Sequence, residues 1–131
     1  MGFNAVLDYA TVIPNYFSSG YFTTRRLIRE NPRLVESIVK ALLDGTRYVA
    51  SNEEGTVKLI GRYLQISDLP FLRAYYREVL LGQINRTLYP DAKGIDFVLD
   101  TEKKTNPAAA QVKPEDFVDP RILDKLRKEG Y

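Results

Sequence analysis

Apolar residues recur three and four positions apart through most of this chain, the spacing that lines one face of a helix. The clearest case is Leu34, Val35, Ile38, Val39, Leu42 and Leu43, opposed by Arg33, Glu36, Lys40 and Asp44. Asn31 followed by Pro32 marks its start, because a proline's missing N–H costs nothing in a first helical turn. The pattern predicts a helix running to Ala50 or so. Ahead of it, Thr23 or Thr24 caps a short helix from Arg25 to Glu30. Beyond it, Asn52 caps a helix with a narrower stripe of Val57, Ile60 and Leu64. Gly55 and Gly61 weaken that helix by about 1 kcal/mol each relative to Ala. Ser67, Asp68, Leu69 and Pro70 open another, apolar at Phe71, Leu72, Tyr75, Tyr76, Val79 and Leu80, ending near Gly82 or continuing to Leu88. Tyr89 and Pro90 interrupt; Asp91 restarts a helix with Ile95, Val98 and Leu99. Thr105 to Lys113 holds turn residues without a period and reads as a loop. Asp119 and Pro120 open a last short helix, with Ile122, Leu123 and Leu126 on one face and Gly130 closing it.

The N-terminal stretch follows a different rhythm. Phe3, Ala5, Leu7 and Tyr9 alternate with Asn4, Val6 and Asp8, the period of a short strand. Pro14 and Asn15 break it, and Pro14 biases Ile13 toward an extended backbone. A second extended run, Tyr16 to Thr23, carries Ser18, Ser19 and Gly20 at its middle. The fold class is therefore α/β and mainly α in this segment, with two short N-terminal strands followed by five or six helices. A two-stranded ribbon is marginal by itself, and each amphipathic helix needs an apolar surface to lie on. The helices either supply that surface to one another as a bundle or cover a sheet whose other strands lie elsewhere.

Composition narrows the chemistry. The 131 residues suit one domain, and 44% apolar with 27% charged residues is ordinary for a globular chain. A net charge of +2 makes no field that would draw nucleic acid or an anionic membrane. Without cysteine or histidine there are no disulfides, no thiolate metal sites and no imidazole base. Glu53-Glu54 and Glu115-Asp116 stand at expected helix starts, where acidic residues complement the macrodipole. No phosphate loop, nucleophile elbow or metal-ligand spacing occurs. A catalyst is not expected, nor is a cofactor. No apolar run reaches the ~18 residues that would span a bilayer, and MGFNAVLDYA lacks the basic start and apolar run of an export signal.

Taken in order, several segments resemble one family. GFNAVLDYA, then IPNYFSSGYFTTRRLIRENPRLVESIVKALLDGTRYVASNEE, is similar to the C-terminal part of ABC-importer substrate-binding proteins of the nitrate/sulfonate/taurine and thiamine-precursor type. Lys113-Pro114-Glu115-Asp116-Phe117-Val118-Asp119, with Leu126 and Lys128-Glu129-Gly130-Tyr131, resembles the family's C-terminal end. The resemblance implies a type II periplasmic-binding-protein fold, two α/β lobes closing over a small solute. Residues 1–17 would be the end of the second lobe and the crossover strand, and 18–131 the C-terminal helical part of the first lobe. It implies a periplasmic or extracellular membrane-attached full-length protein that docks on an ABC permease.

Within the crossover, Tyr9, Tyr16 and Phe17 offer flat apolar faces, and Asn15, Ser18 and Ser19 neutral hydrogen bonds, a mixture common in small-molecule clefts. Tyr9, Asn15, Tyr16, Ser18 and Ser19 are the candidate ligand contacts. The competing reading packs the tyrosines on helices and uses the serines in turns. Arg25, Arg26, Arg29 and Arg33 make a basic run that either attracts an anionic solute or forms a solvated face paired with Glu30 and Glu36. Tyr48, Tyr63, Tyr75 and Tyr76 lie on helical stripes as core or interface anchors. A second function class also fits: a helical homo-oligomeric interaction protein that has lost ligand binding, dimerising by strand exchange through exposed edges.

Overall fold

The computed structural model describes Val6, Leu7, Val12 and residues 20–131. The described part is mainly helical, with no strand among the described residues. Most of the first predicted strand and the first half of the second lie outside those residues, and Val6 and Leu7, described within the first, are neither strand nor helix and are exposed. Residues 20–23, the end of the second, are neither strand nor helix, and Tyr21 and Phe22 are 77% and 98% exposed. An extended run forms a ladder only beside a partner strand, and no described segment offers one.

Contacts divide the chain into two units, residues 24–89 with 122–131, and residues 1–23 with 90–121. In the first of these, helix α1 (Arg25–Glu30) begins where the Thr24 hydroxyl accepts from Leu27 N–H. Helix α2 (Pro32–Ser51) starts on Pro32 as expected, although the Asn31 side chain makes no capping bond. Asn52 caps α3 (Glu53–Leu64) by accepting from Gly55 N–H at 2.8 Å. Within the expected start Ser67–Pro70, Asp68 caps α4 (Leu69–Tyr75) by accepting from Phe71 N–H. A π-helical turn, Tyr76–Leu80, follows, and α5 (Leu81–Gln83) ends the segment near the expected Gly82.

The core of this unit is Val57, Leu72 and Tyr76, with Val49, Ile60, Ile66, Leu80 and Leu81 packed around it. The π turn explains how two consecutive leucines reach the same cluster. Hydrogen bonding from i to i+5 adds one residue to the turn and rotates everything after it, so Leu80 and Leu81 both face inward.

The corner from α3 to α4 is tight. Gln65 takes the left-handed conformation (φ 56°), which lets Ile66 N–H reach back to Gly61 C=O at 2.9 Å. A β-carbon on Gly61 would stand 2.9 Å from both that region's Ile66 carbonyl oxygen and Leu72 Cδ1. The glycine read as a weak point in the sequence is thus what allows the two helices to approach.

Helix α7 (Arg121–Lys128) ends in Gly130 at φ +82° and buries Leu126 to 1% exposure. Its contacts return to α2: Lys125 Nζ reaches Glu36 at 2.6 Å, and the Tyr131 hydroxyl donates to Asp44 at 2.6 Å. Tyr89 donates to Asp124, also at 2.6 Å.

In the other unit, α6 (Ala92–Glu102) is capped by Asp91, which accepts from Lys93 N–H. Gly94, Ile95 and Leu99 are buried on it. Two 3-10 turns, Pro107–Gln111 and Pro114–Asp116, pack against this helix. The first replaces the loop expected there. Asn106 accepts from Ala108 N–H with Pro107 behind it, a capped start that the lack of periodicity concealed, and Ala109 is buried.

Candidate binding groove

The proposed ligand contacts Tyr9, Asn15, Tyr16, Ser18 and Ser19 all lie outside the described residues, as does Phe17. The arginine run does not converge on a site. Arg26 pairs with Glu30 at 3.8 Å, both well exposed. Glu36 pairs instead with Lys40 and Lys125, so the expected pairing of the run with Glu36 is replaced by one from the last helix. Of the four tyrosines, Tyr76 is core, Tyr75 stacks on Phe71, Tyr48 is half-exposed and Tyr63 is exposed.

A different place collects polar groups around an apolar floor. An open groove of about 330 Å³ runs between α3 and α4. Helix α3 presents Glu54, Val57, Lys58, Gly61 and Arg62, spaced three, one, three and one apart, which is one helical face. Ile66 in the corner and Leu69, Leu72 and Arg73 of α4 complete it. Val57 and Leu72 belong to the buried core, so the groove lies directly over the cluster that holds the unit together. Gly61 lets the corner pack tightly beneath the groove, since a β-carbon there would meet Leu72 Cδ1 and the Ile66 carbonyl oxygen.

Lys58 and Arg62 stand on one wall and Arg73 on the other. Among the described residues none of the three forms an ion pair. Glu54, in the first turn of α3, puts one negative charge at the opposite end from Arg62. The groove therefore suits an apolar body with anionic edges. The sequence reading missed all three; the four-residue spacing of Lys58 and Arg62 was the signal that could have marked a basic face of α3. Arg73 joins them only through the α3–α4 corner, which no spacing in the sequence reveals.

A second polar cluster is structural. Glu36 lies between Lys125 at 2.6 Å and Lys40 at 2.9 Å. Hydrogen bonds from Lys125 first and Lys40 second hold its carboxyl down at about 2, from an ordinary 4.5. Tyr131 lies under Arg47 and Lys40, 4.7 and 5.7 Å from its ring centre, while donating to Asp44. That donation raises the Tyr131 phenol, as donation to Asp124 raises Tyr89. Because Glu36 is depressed on folding, its contribution to stability is present above pH 4.5 and is lost as pH falls toward 2. Thermal melting between pH 6 and pH 2 checks this: Glu36→Gln is expected to melt lower than the parent at pH 6, with the difference closing at the acid end.

Among the described residues no acidic cluster could hold a metal ion, and no helix is long and apolar enough to cross a membrane. The comparisons add no relative: no family model, no curated protein and no solved structure matches the chain.

Proposed function

We propose that the chain is the C-terminal segment of the solute-binding component of an ABC-type importer, taking a small nitrate-, sulfonate- or taurine-like solute or a pyrimidine precursor. The ordered resemblance from GFNAVLDYA through the Asn31-Pro32 helix to Lys113–Asp119 carries this reading. Its support from the fold is the apolar surface that the helices leave open. Leu34, Ile38 and Phe71 are each about half exposed, as suits helices that cover a sheet contributed by other segments. The solute would then bind between two lobes, of which this chain would form the helical C-terminal part of the first and the end of the second.

The test is a thermal-shift series with nitrate, bicarbonate, small sulfonates, pyrimidines and aromatic carboxylates. It is run on this chain and on a form extended upstream by the preceding codons of its locus. A ligand-dependent rise in the extended form alone is the expected result. Absence of any rise in both forms across the series overturns the proposal.

One observation favours a second reading, a helical homo-oligomeric interaction protein. Leu34, Ile38, Ala41, Gly45 and Tyr48 are exposed on α2 at alternating spacings of four and three, the seam of a coiled coil. Size-exclusion chromatography with light scattering separates the two. A concentration-dependent dimer that Ile38→Asp abolishes supports assembly, and a folded monomer at every concentration removes it.

A further inference from the structure

We propose that the α3–α4 groove docks an acidic amphipathic helix of a partner protein. This rests on the groove itself and not on the solute-binding reading. Three features select the occupant. First, Ile66 and Leu69 give the groove apolar side chains that stay accessible, Leu69 at 53% exposure, above the buried Val57 and Leu72. An apolar surface between two helix walls is the usual seat of a third helix, read through anchors three and four apart. Second, the groove is open, and its 330 Å³ lies at the small end of ligand cavities, so a small organic anion would keep most of its surface in water.

Third, the charges match a helix in spacing and in direction. Lys58 and Arg62 are one turn apart, about 6 Å along the axis, the same separation as two carboxylates four apart on a neighbouring helix. Arg73 faces them from the α4 wall, so acids are required on both flanks of the partner's apolar stripe. Glu54, a turn before Lys58, reverses the sign at that end and calls for a lysine on the partner there. The resulting motif is an apolar stripe flanked by Glu or Asp over two turns, with a basic residue at one end. Among the described residues Lys58, Arg62 and Arg73 form no ion pair.

The experiment uses the full chain and a fluorescein-labelled synthetic helix carrying a Leu stripe flanked by Glu, with one terminal Lys. A scrambled isomer of the same composition and octanoate serve as comparisons, with anisotropy read at low and high salt. Saturable binding that weakens with salt is expected, at least tenfold tighter than for the scrambled isomer. Exposed ion pairs are individually weak, so reversing two of the cations together, Arg62→Glu with Arg73→Glu, is expected to cost about tenfold. A Lys-flanked version of the same peptide is expected to recover binding to that doubly reversed variant. Circular dichroism on the variant shows whether it remains folded, as the exposure of both arginines predicts. Equal binding of the scrambled isomer, indifference to charge reversal, or protection by octanoate where the peptide gives none would each overturn the proposal.

Discussion

Tyr76→Ala is expected to lower stability by about 3–5 kcal/mol, the usual loss for a buried aromatic truncated to Ala. Tyr76 is 3% exposed and is one of the three core residues of its unit. Its hydroxyl also donates to Val49 C=O at 2.7 Å. Val49 stands in the last turn of α2, where carbonyls have no partner within the helix. One side chain therefore fills the core and satisfies an α2 carbonyl, tying the π turn to the end of α2. Tyr76→Phe separates the two roles. It keeps the ring and is expected to cost about 1 kcal/mol for the lost bond. Urea denaturation of the three proteins measures both differences. A Phe variant as unstable as the Ala variant would place the whole effect on the hydroxyl and refute the packing argument.

Leu72→Ala is the second large effect, about 2–5 kcal/mol. The side chain is 1% exposed, with Val57 on α3 and Tyr76 one turn along as its core neighbours. Its Cδ1 also occupies the space that Gly61 leaves empty at the α3–α4 corner. Removing it opens a cavity under the groove, where backbone on both sides is held by the Gln65 corner and collapses poorly. The upper half of that range is accordingly expected, set against a total stability of roughly 5–15 kcal/mol for an ordinary domain. Leu72→Met conserves volume and is expected to cost less than about 1.5 kcal/mol. The same urea series reads both. Equal losses for Ala and Met would show that shape, and not cavity volume, governs the site.

The helices were largely legible because their signals are local. Thr24, Asn52, Asp68 and Asp91 each accept from a backbone N–H two or three residues on. Pro32, Pro70 and Pro107 stand in first turns, as a residue without an N–H should. The short 3-10 turn at Pro107–Gln111 escaped because five residues are too few to show a period, and only its Asn106 cap marked it. The π turn escaped for a different reason. An inserted residue looks like a broken stripe in sequence and becomes a device only when Leu80 and Leu81 are seen on one cluster.

The binding groove was half legible. Lys58 and Arg62 lie four apart on a predicted helix, a signal of a shared face that the sequence reading passed over for the arginine run. Their opposition by Arg73 depends on how α3 and α4 meet, which rests on Gly61 and on the left-handed Gln65. Of the pairings open to the arginine run, the one with Glu36 is taken by Lys40, four residues on, and by Lys125, 89 residues away, a partner that no local spacing reveals.

What the sequence determined by itself was the helical character of residues 25–30, 32–51, 53–64 and 69–83, most of their caps, and the absence of imidazole and thiol chemistry. Those depend on hydrogen bonds and steric preferences within a few residues. What the tertiary structure decided was which part of each stripe is covered. On α2, Val35 and Leu43 are buried while Leu34 and Ile38 stay about half exposed, although all four belong to the same apolar pattern. A stripe specifies a side of a helix but not the surface that meets it, and that surface is built from residues distant in the chain. The bond from Tyr131 to Asp44, the tie from Tyr76 to Val49 and the cationic groove all arise at that level.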